Sequence, residues 1–297
     1  MTGYDGWILL TASLVGLTCG LVGALLVLRR MAMMADAISH TVLPGIVVAY
    51  LITRDLTGVH MLIGAAAAGL VTAILVQGLH QLGVRQEASI GIVFTTLFAI
   101  GVVLIATQVG NAHLDVQHAL MGEIAFIPWE TAHVPGIGAV PEAVLMLLVV
   151  LAIVGGLITA FYKEWKITSF DPALAAALGI PVAFMHHLFM AMVSLTAVAS
   201  FDAVGAILVI AMLITPAAAA YLWTDRLSVM LGLSALFGAA SAWAGYAVAW
   251  LLDTSISGSM AFATGVLFLA SFLFAPRHGA LARRLRARMD RARVSRS

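Results

Sequence analysis

The chain is organised as long runs of apolar residues separated by short polar segments. Each run has about 20 residues, the length that an α-helix needs to cross the hydrocarbon core of a bilayer. Membrane-spanning β-strands would alternate polar and apolar side chains over about ten residues, and the runs do not alternate. The pattern therefore predicts an all-α, polytopic helical membrane protein with eight or nine transmembrane segments. The candidate segments are 7–28, 31–52, 59–79, 88–108, 139–162, 182–201, 203–223, 227–251 and 257–275.

The number of crossings depends on 203–223, which also fits a segment that enters the membrane only partway. Composition supports the membrane class. Hydrophobic residues make up 62% of the chain and charged residues 10%, whereas about 25% of residues are charged in soluble domains. The same numbers exclude a disordered chain, which needs few apolar residues and many charges. A formal net charge of +1 argues against a nucleic-acid partner.

The lysines and arginines predict the orientation of the chain, because cytoplasmic loops carry the excess of these residues. With the N-terminus outside and nine crossings, Arg54 is the only one of the 15 that lies outside. The C-terminus is then cytoplasmic. We expect a transmembrane domain at 1–276 and a basic cytoplasmic tail at 277–297 that contacts anionic lipid headgroups.

The second segment carries the strongest candidate site. Asp36 and His40 are four residues apart, so a helix places them on one face. Ionisable side chains within a membrane helix cost free energy and are functional candidates by default. A carboxylate and an imidazole together are suitable ligands for a divalent transition metal. The pair therefore predicts a metal pathway, while a buried Asp–His hydrogen bond that ties helices together is the open alternative.

Pro44 and Gly45 follow the pair by one helical turn. Proline lacks an N–H group, so the carbonyl of His40 loses its usual helical donor. Interrupted helices line the binding sites of many transporters, and we expect a helix break at Pro44 and Gly45. Ser39 and Asp202 are weaker candidates for the same pathway. Asp202 also fits an N-cap of the helix that follows it.

The other histidines form two weaker groups. His186 and His187 lie near the start of the sixth segment, where interfacial packing is a simpler interpretation than metal binding. The predicted outside loop, 109–138, holds ionisable side chains that either collect metal or are ordinary solvated residues. They are His113, Asp115, His118 and His133.

The cytoplasmic segment 169–181 predicts a short helix with a cap at each end. Asp171 is a good N-cap and Pro172 suits the first helical position, whereas Gly179 suits the C-terminal cap. The residues between them are apolar, although the segment lies outside the membrane. Exposed apolar surface indicates a partner. A helix that lies flat on the membrane interface is the alternative.

The sequence contains no GxxxxGK[ST] phosphate-binding loop. We therefore expect that the chain does not hydrolyse nucleotide by that mechanism and is not an enzyme. If ATP drives transport, a separate subunit must supply the hydrolysis. The helix within 169–181 is the expected docking point for that subunit.

Several stretches resemble the permeases of ABC transporters that import manganese, zinc or iron. They are MADAISHTVLPG (34–45), ASIGIVF (88–94), FDPALAAALG (170–179), VGAILVIAMLITP (204–216), TGVLFL (264–269) and FAPR (274–277). The stretches extend over nearly the whole chain, and their combination is specific. At 121–124 this chain has MGEI, where many relatives have FGNI, so the outside loop departs from the family pattern.

The resemblance implies an architecture similar to type II ABC importer permeases, in a bacterial-type cytoplasmic (inner) membrane. It implies a homodimer or heterodimer of permeases, two cytoplasmic ATPase subunits and an extracytoplasmic metal-binding protein. It also implies that Asp36 and His40 are the intramembrane metal pair and that the transported ion is Mn, Zn or Fe, with no permanently bound cofactor. The residues that match the family's ATPase-coupling helix are Phe170, Asp171, Pro172, Ala173, Leu174, Ala177, Leu178 and Gly179.

Two other transport hypotheses remain open at this point. A secondary transporter driven by an ion gradient would use Asp36 and His40 as a proton relay and would need no ATPase. A permease for a metal chelate such as a siderophore would have a wide pathway without metal-ligating side chains. For the metal importer we expect alternating access along the dimer axis, with the pair holding the ion transiently.

Overall fold

The computed structural model describes residues 3–53, 59–108, 124–129, 131–134 and 138–282. Within these ranges the chain is almost entirely helical. The α-helices are α1 (Gly3–Leu28), α2 (Ala32–Thr53), α3 (Val59–Gln81), α4 (Gln86–Gln108), α5 (Glu142–Ala160), α6 (Tyr162–Phe170), α7 (Pro172–Ala177), α8 (Val182–Val204), α9 (Ala206–Trp223), α10 (Leu227–Leu252) and α11 (Ile256–Phe274).

Nine of the described helices are long and apolar enough to cross a membrane. They are α1 to α5 and α8 to α11, and they match the nine apolar runs of the sequence. The segment predicted at 203–223 is the 18-residue helix α9, which has the length of a full crossing. The short helices α6 and α7 lie between the fifth and sixth crossings. Because α6 and α7 connect the end of α5 to the start of α8, they lie at one end of the bundle, here called the α7 end.

The boundary between α8 and α9 corrects one prediction. Asp202 is inside α8, which continues to Val204. The N-cap position of α9 is Gly205, whose φ is +81°. Glycine adopts such a φ at little cost, so the chain turns there and Asp202 is not the N-cap of the following helix.

Helix α1 is the centre of one closely packed region. The backbone of Gly16 lies against that of Gly238 in α10, and Gly20 lies against the backbone at Ser234. Ser234 Oγ donates a hydrogen bond of 2.7 Å to the carbonyl of Gly20. A side chain at Gly16 would overlap the α10 backbone, which is the physical reason for small residues four apart in α1.

Helices α2, α3 and α8 form a second packed region. The backbones of Gly45 in α2 and Gly64 in α3 are in contact. Thr72 Oγ1 donates to Thr41 Oγ1 at 2.8 Å, and Ser194 Oγ of α8 donates to the carbonyl of Ala66 at 3.0 Å. These hydroxyls provide hydrogen bonds between helices, which hold the α2 backbone in place without using its ionisable side chains.

The segment between α4 and α5 contains a small hairpin that the all-α prediction did not include. Strand β1 (Thr131–Val134) pairs in antiparallel register with β2 (Gly138–Pro141), after a single turn of 3₁₀ helix at Ile127–Trp129. Trp129 is 70% exposed. The loop candidates His113, Asp115 and His118, and the MGE part of the MGEI stretch, lie outside the described residues. His133 lies in β1.

Candidate functional site

Helix α2 packs on most sides but leaves one stripe open. This stripe consists of Met33, which is exposed, and of Asp36 and His40, which follow it at spacings of three and four residues and so lie on the same side of the helix. The side chains of Asp36 and His40 are 46% and 35% exposed. The single chain therefore does not cover the two ionisable side chains of its second membrane helix.

The functional atoms of this pair are close together. His40 Nε2 lies 3.5 Å from Asp36 Oδ1. With metal–ligand bonds of about 2.1 Å, two ligands are about 3.4 Å apart at a tetrahedral angle and about 3.0 Å apart at a right angle. The separation is thus compatible with both atoms ligating one ion after a small side-chain adjustment.

One copy of the pair does not make a complete metal site. Among the residues that the structure describes, no group of three or more His, Cys, Asp or Glu side chains is placed to hold a metal ion. Divalent transition metals in proteins generally take four or more ligands. Within the described ranges, the chain therefore offers an ion at Asp36 and His40 no third His, Cys, Asp or Glu ligand.

Two aromatic side chains of α4 form a wall beside His40. The ring centroids of Phe94 and Phe98 lie 5.6 Å and 5.9 Å from that of His40, the second in an edge-on arrangement. This contact of α4 with His40 was not predicted from the sequence. The spacing of Phe94 and Phe98 indicates that they share one helix face, because they are four residues apart. Only the fold shows which helix that face contacts.

The structure contradicts the predicted helix break. Helix α2 continues without interruption from Ala32 to Thr53, with Pro44 in its interior. The proline ring packs beside Gly101 of α4, which has no side chain to displace it. The helix therefore passes through Pro44 and Gly45.

The weaker candidates do not join the pair on the open stripe. Ser39 is buried, and its hydroxyl donates to the carbonyl of Ala35 at 2.9 Å. Asp202 is exposed near the far end of α8. His186 and His187 lie in the first turns of α8, half-buried, with ring centroids 5.9 Å apart. This position agrees with the packing interpretation for the two histidines.

The capped helix predicted at the α7 end is present. Asp171 Oδ1 accepts a 2.9 Å hydrogen bond from the amide of Leu174, and Pro172 begins the helix. Gly179 has φ +80°, and the amide of Ile180 donates to the carbonyl of Ala175 at 3.0 Å, which closes the C-terminal end. Helix α7 is therefore built from its own local caps.

The outer surface of this short helix is apolar. Phe170, Leu174 and Leu178 are 60%, 50% and 62% exposed, whereas Ala175 is fully buried against the bundle. Three large apolar side chains on one short segment form a surface suited to a protein partner or a lipid interface.

Residues 6–275 match the model of the ABC 3 transport family. The chain belongs to this family. It is an ABC transport permease, and a secondary transporter driven by an ion gradient is not favoured.

Individual relatives of this ABC permease cover almost its whole length. It is 58% identical over 283 residues to the manganese transport system membrane protein MntD of Bacillus subtilis, covering 95% of this chain and 96% of the relative. It is 40% identical to the zinc transport system membrane protein TroD of Treponema pallidum over 277 residues, covering 93% and 75%. Among solved structures, PsaBC of Streptococcus pneumoniae in complex with Fab matches with a TM-score of 0.77 at 35% identity, covering 93% of each chain.

Proposed function

We propose that this permease is the membrane subunit of an ATP-driven importer of divalent metal ions, with manganese as the first candidate cargo. The observation that carries the proposal is the pair formed by Asp36 and His40, half-exposed on the open stripe of a membrane helix. The 58% identity to a manganese transport protein supports manganese over zinc and iron.

In this proposal, two copies of the chain face each other across their open α2 stripes. The second copy covers the stripe and supplies a second carboxylate and a second imidazole. Four oxygen and nitrogen ligands suit manganese, zinc and ferrous iron. The surrounding apolar wall, including Phe94 and Phe98, displaces water and makes the ion depend on the four side chains.

The proposed mechanism is alternating access along the dimer axis. An extracytoplasmic binding protein delivers the ion, and the Asp36–His40 pairs replace part of its hydration shell. Because one copy offers only one carboxylate and one imidazole, and both are partly exposed, ligation in one copy alone is weak, and separation of the two copies releases the ion. This coupling of affinity to dimer geometry lets the ion leave on the other side.

ATP hydrolysis takes place, in this proposal, in separate ATPase subunits at the α7 end. The exposed apolar residues Phe170, Leu174 and Leu178 dock in those subunits. The α7 end is then cytoplasmic, the N-terminus is outside and the basic tail at 277–297 is cytoplasmic. This orientation agrees with the distribution of lysine and arginine.

The cargo can be identified by measuring cellular metals. Cells lacking the gene, cells with the gene restored and cells with the Asp36→Ala variant are grown over a range of external metal concentrations, and transition metals are counted by mass spectrometry. We expect a selective manganese deficit that only the unmutated chain restores. A deficit of zinc or iron would reassign the cargo, and no deficit of any metal would refute metal import.

A further inference from the structure

The strongest unexplained feature of the molecule is an arginine held inside the α7 end. Arg29 lies in the turn between α1 and α2, where it was expected only as a positive charge on the cytoplasmic side. Its Nη2 donates to Thr168 Oγ1 at 2.9 Å and its Nε donates to Ser169 Oγ at 3.1 Å. The guanidinium carbon lies 4.6 Å from the ring centroid of Phe189 and 5.4 Å from that of Trp165.

The described contacts of Arg29 include no carboxylate. Within the described part of the chain, no carboxylate forms an ion pair with Arg29. Two hydroxyls and two aromatic faces take the place of a counter-ion. Burial lowers the pKa of Arg29 to about 10, so the side chain is still a cation at neutral pH. A partly desolvated cation without a carboxylate costs free energy, which a purely structural contact would avoid by using an apolar side chain.

The aromatic side chains around Arg29 are buried and closely packed. Trp165 is fully buried and its Nε1 donates to the carbonyl of Leu157 in α5 at 3.1 Å. Phe189 of α8 is also fully buried, and the two rings pack 6.1 Å apart. The guanidinium therefore packs between α6 and α8. A shift relative to α6 would break its hydrogen bonds to Thr168 and Ser169.

The two sides of this contact lead to the two functional parts of the molecule. Thr168 and Ser169 directly precede Phe170, the first residue of the apolar docking surface. On the other side, Arg29 is three residues before the start of α2, whose second turn carries Asp36. The backbone between them is tight, since the amide of Met31 donates to the carbonyl of Leu26 at 3.0 Å and Arg30 has φ +56°.

We propose that Arg29 is a positioning residue that transmits movement between helix α7 and the helix that carries Asp36 and His40. A displacement of α7 moves Thr168 and Ser169, the guanidinium follows them, and the α1–α2 turn moves the start of α2. The inference rests on the proposed function, because it assumes that an ATPase acts on α7. It assigns a role to a residue that contacts neither the ion nor the ATPase.

Variants that remove the charge of Arg29, its planar shape or its hydrogen-bond acceptors test the proposal in separate steps. Arg29→Gln removes the cation and the fork. Arg29→Lys keeps the charge, but its single ammonium is a poor replacement for a planar group that bonds two hydroxyls and stacks on a ring. The double variant Thr168→Val, Ser169→Ala removes the acceptors and leaves Arg29 intact. Arg30→Gln is the matched control, because Arg30 is the neighbouring arginine and is exposed.

The experiment uses the complete complex of permease and ATPase subunits in proteoliposomes, with manganese supplied on the side from which the complex takes it up. ATP hydrolysis and manganese uptake are measured in the same sample, and the readout is the number of ions transported per ATP hydrolysed. We expect this ratio to fall about tenfold in Arg29→Gln and in the double variant, a magnitude typical of coupling between sites. Arg29→Lys should fall between these variants and the wild type, and Arg30→Gln should match the wild type.

Other outcomes overturn the proposal in separate ways. If uptake and hydrolysis fall together at an unchanged ratio, Arg29 only stabilises the fold. If the ratio and both rates are unchanged in Arg29→Gln and in the double variant, Arg29 transmits nothing. Should Arg29→Gln fail to assemble, the double variant decides by the same ratio. A wild-type complex that transports no metal would refute the proposed function itself, which the wild-type sample reveals independently of the variants.

Discussion

Helices α1 and α2 follow each other in the chain and have similar lengths, but they are packed in different ways. In the spanning part of α1, 78% of residues are buried, and its glycines bring it into backbone contact with α10. In α2 the share is 61%, and its partly exposed side chains include the ionisable Asp36 and His40.

The difference shows where a membrane protein places costly side chains. Where α1 meets α10, small residues let the backbones touch, and a side chain of any kind would force them apart. On α2 the ionisable residues occupy a side of the helix that its described neighbours leave partly open. The first helix packs through its backbone, and the second carries the ionisable pair on which the proposed metal pathway depends.

The largest expected effect comes from breaking the closely packed side of this comparison. Gly16→Leu would place a side chain into the backbone of α10 at Gly238. Overpacking of this kind costs about 1–3 kcal/mol and more when backbone must move. We expect the variant to lose most of its folded, extractable protein, measured by size-exclusion chromatography and thermal unfolding in detergent.

Gly232→Leu is the matched control for this prediction. Gly232 is also a glycine of a packed membrane helix, α10, but nothing lies near the position of an added side chain. It should leave the amount and melting temperature of the protein almost unchanged. Equal losses in both variants would show that glycine content alone, and not the contact with α1, stabilises α10.

A smaller effect is expected from a second open surface, the apolar face of α7. Leu174→Ala removes a half-exposed side chain from the proposed docking surface. Loss of one apolar contact at a protein interface costs about 1–2 kcal/mol. We expect the affinity for the ATPase subunits to fall about tenfold, measured by titration in detergent, with no change in the thermal stability of the permease.

Leu82→Ala tests whether this effect is specific. Leu82 is 82% exposed and lies at the same end of the bundle, just after α3. Its replacement should not change ATPase binding. If Leu82→Ala weakens binding as much as Leu174→Ala, exposed apolar area at the α7 end matters and the capped helix does not.

The smallest effect is expected at the C-terminal end of the described chain. Asp225 accepts a 2.9 Å hydrogen bond from His278 Nε2 and pairs with Arg277, and these contacts hold the pKa of Asp225 below its ordinary value. A carboxylate with a lowered pKa stabilises the folded state above its ordinary pKa, and this contribution is lost as the pH falls through the folded value.

Asp225→Asn should therefore increase hydrogen exchange of residues 276–282 at neutral pH, and the difference from the wild type should vanish in acid. Asp253→Asn, at the opposite end of α10, is the control and should leave this segment unchanged. A difference from the wild type that does not change with pH, or that is equal in both variants, would show that the ion pair does not hold the segment. Neither variant should change the packing of α1 or α2.

Much of this structure could be predicted from the sequence, because the bilayer fixes the length of a spanning helix. The nine apolar runs are the nine long helices, and a spacing of four residues correctly placed Asp36 and His40 on one face. The caps of α7 were also predictable, since Asp171 and Gly179 act through their own backbone neighbours. All three inferences depend on local geometry.

The predictions that were wrong or incomplete depend on contacts between distant residues. Pro44 does not break α2, and its ring packs beside Gly101 of α4, a contact that the sequence does not show. The environment of Arg29 is formed by Thr168 and Phe189, more than a hundred residues away along the chain. No spacing in the sequence shows that these residues meet.

The central claim is that the open stripe of α2 acts through its two ionisable side chains and that α2 does not need them to fold. The most direct test is manganese uptake by the reconstituted complex carrying Asp36→Asn, which removes the charge and keeps the shape. Ser39→Ala on the buried side of the same helix is the control. Amount of complex, melting temperature and basal ATP hydrolysis are measured on the same samples.

We predict that Asp36→Asn reduces uptake at least about tenfold while assembly and melting temperature stay at the wild-type values, as expected for a costly intramembrane charge kept for function. Ser39→Ala should retain uptake. Wild-type uptake by Asp36→Asn would contradict the claim, and so would a loss of uptake accompanied by an equal loss of assembled complex, since Asp36 would then hold helices together and not the ion.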